Sequence, residues 1–147
     1  MKVRKIMSKD VRIVSADDTL QKAAKLMADT DTGALPVCEN DRLVGMLTDR
    51  DITVRAVAQG KAPGHCKVRD VMSSEIKYIF EDDSVRDAAR TMSDLQVRRL
   101  PVLDRDKRLV GIVSLGDIAM KKGGKLAQQA IEGVSQPSGS DKNVKPL

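Results

Sequence analysis

The second half of the chain repeats the first, and that repeat narrows the folds open to it more than any other feature. Shifting the sequence by 65 residues sets Met7-Ser8 on Met72-Ser73 and Asp17-Asp18-Thr19-Leu20 on Asp82-Asp83-Ser84-Val85. The same shift sets Ala23-Ala24 on Ala88-Ala89, Met27 on Met92 and Leu35-Pro36-Val37 on Leu100-Pro101-Val102. One extra residue, Lys107, moves the offset to 66; Arg42-Leu43-Val44-Gly45 then falls on Arg108-Leu109-Val110-Gly111, and Asp51-Ile52 on Asp117-Ile118. Of the 47 aligned pairs from Ile6 to Ile52, 18 are identical, so the chain is two copies of one structural unit.

Each copy carries the same order of signals. Residues 12–14 and 77–79 are short β-prone runs, each followed by an acidic pair (17–18, 82–83) suited to cap a helix and to favour its positive end. Leu20, Ala23, Ala24 and Met27 stand at i, i+3, i+4 and i+7, as do Val85, Ala88, Ala89 and Met92. That spacing predicts a helix with one apolar stripe whose alanines permit close packing. Residues 35–38 and 43–48 flank the turn-forming 39–41, and residues 100–103 and 109–114 flank 104–107, which reads as two hairpins. Second helices are expected over about 49–59 and 115–122, the latter stopped by Gly123-Gly124. Met7, Met27, Met72 and Met92 recur at matched positions, as core packing requires.

The unit is therefore β-α-β-β-α, and at about 50 residues it buries too little surface to be comfortable alone. The expected fold class is α+β, with two such repeats packed sheet to sheet. Residues 1–60 form the first repeat, 61–67 a linker containing Pro63 and Gly64, and 68–122 the second repeat. Residues 123–147 are expected to form a short C-terminal helix, about 125–134, and a flexible polar tail.

Composition bears on function. The net charge of +5 is spread over the chain: residues 1–60 hold 10 basic and 9 acidic groups, residues 61–122 hold 13 and 10, and residues 123–147 hold 3 and 2. No polybasic arm exists, and with Tyr78 and Phe80 as the only aromatics a nucleic-acid platform is not expected. The single histidine, His65, removes most acid-base and metal chemistry, so neither catalysis nor a metal is expected. Cys38, His65 and Cys66 supply at most three ligands with no recognisable spacing. Two cysteines make no disulfide scaffold, and no apolar run approaches the roughly 18 residues a bilayer needs, so a cytoplasmic protein off the membrane is expected.

The chemistry concentrates where the last strand of each repeat enters its helix. There the sequence reads Gly45-Met46-Leu47-Thr48-Asp49-Arg50-Asp51 and Gly111-Ile112-Val113-Ser114-Leu115-Gly116-Asp117. Thr48 or Ser114 followed three residues later by an acid fits a capping box, which needs no ligand. The same geometry fits a nucleotide: free N–H groups and a hydroxyl for a phosphate, and Asp51 or Asp117 to accept hydrogen bonds from a ribose diol. Lys121-Lys122-Gly123-Gly124-Lys125 lacks the spacing and preceding strand of a phosphate loop and reads as a helix stop.

The tandem repeat, the Leu-Pro-Val and Leu-Val-Gly strands and the Gly-x-x-Thr/Ser-x-x-Asp turns resemble a pair of CBS domains, a Bateman module, over about residues 6–122. The resemblance implies a regulatory module that binds an adenosine-containing ligand (AMP, ADP, ATP, NAD or S-adenosylmethionine) in two clefts, with no obligatory cofactor. Carried onto this chain, one cleft takes Ser114 for phosphate and Asp117 for ribose. Its base contacts come from the segment Asp10 to Arg12 and from Thr32, Gly33 and Ala34, and Arg98 leans toward its phosphate. The other cleft takes Thr48 and Asp51, framed by the segment Glu75 to Lys77 and by Val97, Arg98 and Arg99. Two arginines crowd its adenine position and Gly33 offers it no cation, so the Asp117 cleft is expected to bind more tightly. The resemblance also implies a homodimer through helix faces carrying Ile52, Val57, Ile118 and Met120. With no catalytic domain expected, a signal would pass through an unknown protein partner or through assembly. The alternative is a structural or interaction protein whose Asp residues only cap helices and whose clefts are empty.

Overall fold

The computed structural model describes residues 1–122, 128 and 131–135. In chain order the elements are α1 (Leu20–Thr30), β1 (Ala34–Glu39), β2 (Arg42–Thr48), α2 (Asp49–Ile52), β3 (Ile79–Phe80), α3 (Val85–Leu95), β4 (Arg99–Leu103), β5 (Leu109–Ser114) and α4 (Leu115–Lys122). β1 and β2 form an antiparallel pair, and β3, β4 and β5 a three-stranded sheet in that order, so the fold is mixed α and β. Among the described residues no helix is long and apolar enough to cross a membrane. Much of the expected tail lies outside the described residues.

The chain divides into two compact units that interleave in sequence. One gathers Met1–Lys9, Tyr78–Val102 and the described residues from Gly111 onward; the other gathers Asp10–Lys77 and Leu103–Val110. Each repeat's helix is thus met by the segment that leads into the other repeat. In the second unit Leu20 N–H donates to Cys66 O (2.9 Å), Val68 N–H to Asp18 O (2.8 Å) and Arg69 N–H to Ala16 O (2.9 Å). Sixty-five residues along, the first unit repeats the pattern: Val85 N–H to Met1 O (2.9 Å), Val3 N–H to Asp83 O (2.8 Å) and Arg4 N–H to Glu81 O (3.0 Å). Because the first N–H groups of a helix have no internal acceptor, these carbonyls satisfy donors the repeat cannot satisfy alone.

The same segments then add one residue pair to the sheets. Ser73 exchanges two hydrogen bonds with Met46 on β2, and Ser8 does so with Ile112 on β5, at 2.8–3.0 Å. Such close approach explains the glycine in each Leu-Val-Gly strand. A Cβ on Gly45 would lie 2.8 Å from Met72 Sδ and from Ser73 O, and one on Gly111 would lie 2.6 Å from Met7 Sδ and 2.8 Å from Ser8 O.

Several expectations change in detail. The acidic pairs do not cap the helices; Thr19 and Ser84 do, accepting from Lys22 N–H and Asp87 N–H. Asp18 and Asp83 instead close the preceding turn, each Oδ2 accepting at 2.9 Å from the N–H of Ser15 or Phe80. Ala24 is exposed while its counterpart Ala89 is buried. The β-prone run at 12–14 is reduced to one parallel bridge, Val14 to Val37. The first hairpin turns on Asn40 and Asp41 alone, both at positive φ, as a two-residue turn twisted to match its strands requires. In the second hairpin Lys107, the extra residue, takes φ 64 after a turn closed by Lys107 N–H to Asp104 O, which is how a longer loop reaches the same twist.

The helix expected over 49–59 is α2 followed by one π-helical turn, Thr53–Val57. The β-branched run Ile52-Thr53-Val54 crowds a regular helix, Thr53 Oγ1 donates back to Asp49 O, and Arg55 Nη1 reaches out to Val71 O at 3.3 Å. Val14, Leu20, Met27, Leu35, Val37, Leu47, Val68 and Val71 form one continuous core in the second unit. In the first unit Val3, Val85, Met92, Leu100, Val113 and Ile118 are buried. Of the apolar residues expected to need a cover, Val57 and Met120 are exposed, but Ile118 is fully buried and Ile52 packs partly against the core.

Candidate functional site

At the start of α4 two short bonds lock Ser114 and Asp117 together. Ser114 N–H donates to Asp117 Oδ2 at 2.9 Å, and Asp117 N–H donates to Ser114 Oγ at 3.1 Å. Thr48 and Asp51 do the same at the start of α2, at 2.9 and 3.1 Å. Both motifs are therefore complete capping boxes, a geometry that holds each carboxylate in one orientation. They consume donors that a phosphate was expected to use. At α4, Leu115 N–H is also taken, by Arg98 O at 3.0 Å; at α2, Asp49 N–H is taken by Gly33 O at 2.9 Å. What remains at α4 is Gly116, exposed and without a side chain, and Asp117 Oδ1, which has no partner among the described residues.

The two helix starts differ in charge. Beside α4, a groove of about 450 Å³ is walled by Arg98, Arg99, Ser114, Leu115 and Gly116. Two guanidinium-bearing residues and the positive end of a helix dipole make this wall suited to an anion. Beside α2, Asp49 occupies the position of Leu115 and its carboxylate lies against Gly33, where a Cβ would stand 2.7 Å from Asp49 Oδ2. Arg55 Nε approaches the second oxygen of Asp51, Oδ1, at 3.9 Å. Here an added acid opposes a phosphate, and an arginine competes for the oxygen a ribose would use.

Sequence reasoning missed Asp49 because it occupies a variable position of the motif, and Arg55 because it lies beyond it; the signals were the acid in Thr48-Asp49-Arg50 against Ser114-Leu115-Gly116, and an arginine four residues after Asp51. The remaining expected residues fall in both units. Arg98, Arg99, Val97, Ser114 and Asp117 belong to the first; Asp10, Arg12, Thr32, Gly33, Ala34, Thr48, Asp51 and Lys77 belong to the second. In the second unit the exposed Asp10 and Arg12 pair with each other at 3.7 Å, and Thr32 Oγ1 bonds within its own turn to Ala34 O at 3.2 Å.

The cysteines are free and buried, and burial, with the charge of Asp41 adding, pushes the Cys38 thiol up to about 11. Among the described residues no three of His, Cys, Asp and Glu gather as a metal site. Tyr78 and Phe80 pack edge to face, 5.5 Å between centroids.

Comparison with known proteins matches the CBS domain at residues 3–57 and again at 68–123. The CBS domain-containing protein YhcV of Bacillus subtilis is 45% identical over 120 residues, which are 82% of this chain and 84% of that protein. The crystal structure of Hypoxic Response Protein I with two coordinated zinc ions superposes with a TM-score of 0.76 at 40% identity, over 82% of this chain and 98% of that one. The CBS domain pair of protein MJ0100, in complex with 5-methylthioadenosine and S-adenosyl-L-methionine, gives 0.71 at 31% identity over 85% and 98%.

Proposed function

Because the chain belongs to the CBS-domain family and carries two such domains in tandem, we propose that it is a regulatory binding module, not an enzyme, whose ligand is an adenosine nucleotide. The observation that carries this reading is the start of α4. The capping box fixes Asp117 with Oδ1 left for a ribose diol, beside a groove whose wall holds Arg98 and Arg99. The adenosyl ligands of the MJ0100 pair support the ligand class. The cationic wall favours a phosphorylated ligand such as AMP, ADP, ATP or NAD over the sulfonium of S-adenosylmethionine. The site at Asp51 is the weaker of the two, for its added acid and its competing arginine. The protein acts in the cytoplasm, where free thiols stay reduced. It acts as a homodimer, a state supported by Val57 and Met120, 62% and 87% exposed, and it signals through a protein partner or through that assembly.

Isothermal titration of the wild-type chain, Asp117→Ala and Asp51→Ala with AMP and ATP tests this. Binding that is abolished by Asp117→Ala and little changed by Asp51→Ala supports the reading; a larger loss from Asp51→Ala reverses the ranking. The completed capping boxes favour a second reading, an interaction protein with empty clefts. Under it Asp117→Ala destabilises the fold, yet no nucleotide binds either form.

A further inference from the structure

The groove beside α4 has a second wall, and it comes from the C-terminal segment. Ile131 and Val134 line it together with Arg98, Arg99 and Ser114. The segment is helical at 131–134, and Ser135 N–H donates to Ile131 O at 2.9 Å. Its seat is on α3. Gly133 lies so close to Ser93 that a Cβ there would stand 2.7 Å from Ser93 Cα and collide with its side chain, and Gln96 Nε2 donates to Gly133 O at 3.4 Å. Only glycine permits that approach.

We propose that residues 131–135 serve as a wall of the groove at the start of α4, so that seating this segment on α3 and binding a nucleotide in that groove favour each other. The proposal rests on the nucleotide reading above. A groove of about 450 Å³ remains with the segment in place, within the range of small-molecule sites, so the segment bounds the space and does not fill it. One wall is cationic and the other aliphatic, a pairing that matches an amphiphilic anion: phosphate against the arginines, nucleoside against Ile131 and Val134. A ligand touching both walls stabilises the seated segment, and by linkage the seated segment raises the affinity by the same factor. Ligand occupancy would thereby reach the surface of the protein as a docked or released segment, an output that needs no attached domain.

The test is titration of the full-length wild type and of Gly133→Leu with AMP and ATP, alongside hydrogen exchange at residues 131–135 of the wild type with and without AMP. The expected result is a loss of affinity of about fivefold or more in Gly133→Leu, the low end of common coupling factors, and slower exchange at 131–135 on AMP addition. The wild-type exchange measurement stands whether or not the variant folds. Wild-type binding with no change in exchange at 131–135 overturns the coupling and leaves the nucleotide reading standing. Absence of any binding to the wild type overturns both.

Discussion

At the start of α4 the two oxygens of Asp117 have different fates: Oδ2 closes the box on Ser114 N–H, and Oδ1 is left without a partner among the described residues. The box is a stability element in its own right. Ser114→Ala removes the acceptor for Asp117 N–H and should cost about 1 kcal/mol, read as a lowered midpoint in a urea melt; an unchanged midpoint would show that the box contributes nothing. The thiols give a second check at this scale. Because folding raises the Cys38 pKa to about 11, the contribution of the neutral thiol is complete below the ordinary value near 9 and is lost as pH rises toward 11. At pH 8 both buried cysteines of the native protein should react slowly with a disulfide reagent and both should react quickly in guanidinium; fast native reaction would contradict their burial. The sequence made Thr48, Ser114, Asp51 and Asp117 visible because their spacing is local. It could not show that the first donor of each helix, Leu115 N–H or Asp49 N–H, is also taken, since that depends on the carbonyls of Arg98 and Gly33, which precede β4 and β1.

The helices and hairpins were legible because their apolar spacing and turn residues are written within a few positions of one another. What was not legible is the exchange of lead-in segments, because hydrogen bonds such as Leu20 to Cys66 and Val85 to Met1 join residues dozens of positions apart with no periodic signature. The glycines of β2 and β5 report that exchange. Gly45→Ala and Gly111→Ala should each destabilise by about 1–3 kcal/mol, because the new methyl meets backbone oxygen as well as a methionine sulfur; a thermal melt that does not move would show that the segments are not seated there. A surface cluster fastens one of them. Arg69 reaches Asp17 Oδ1 through Nε, at 3.0 Å, and through Nη2, at 2.6 Å, and Nη2 also approaches Glu39 at 3.4 Å. The hydrogen bond and charge of Arg69 hold the Asp17 carboxyl below its usual value, so this contribution is present at neutral pH and fades as pH falls below about 4. Asp17→Asn should therefore lower stability at pH 7 and leave it nearly unchanged near pH 2; an equal loss at both would remove the ion pair from the account.

For the molecule as a whole, two repeats of one sequence have acquired unequal helix starts. The first pairs Asp51 with Arg55 and adds Asp49; the second faces Arg98, Arg99 and an open Gly116. Duplication supplies two helix starts of one design, and a few charged substitutions separate their electrostatics without disturbing the capping box that both carry. The central claim is that the Asp117 site holds an adenosine nucleotide, and the most direct measurement is a thermal-shift panel of AMP, ADP, ATP, NAD, NADH and S-adenosylmethionine on the wild type and on Asp117→Ala. At one hundred times Kd a ligand specific to the native state adds about 2.7 kcal/mol, so a phosphorylated member of the panel should raise the wild-type midpoint and lose that effect in Asp117→Ala. A midpoint that no ligand raises, or that one raises equally in both proteins, would contradict the account.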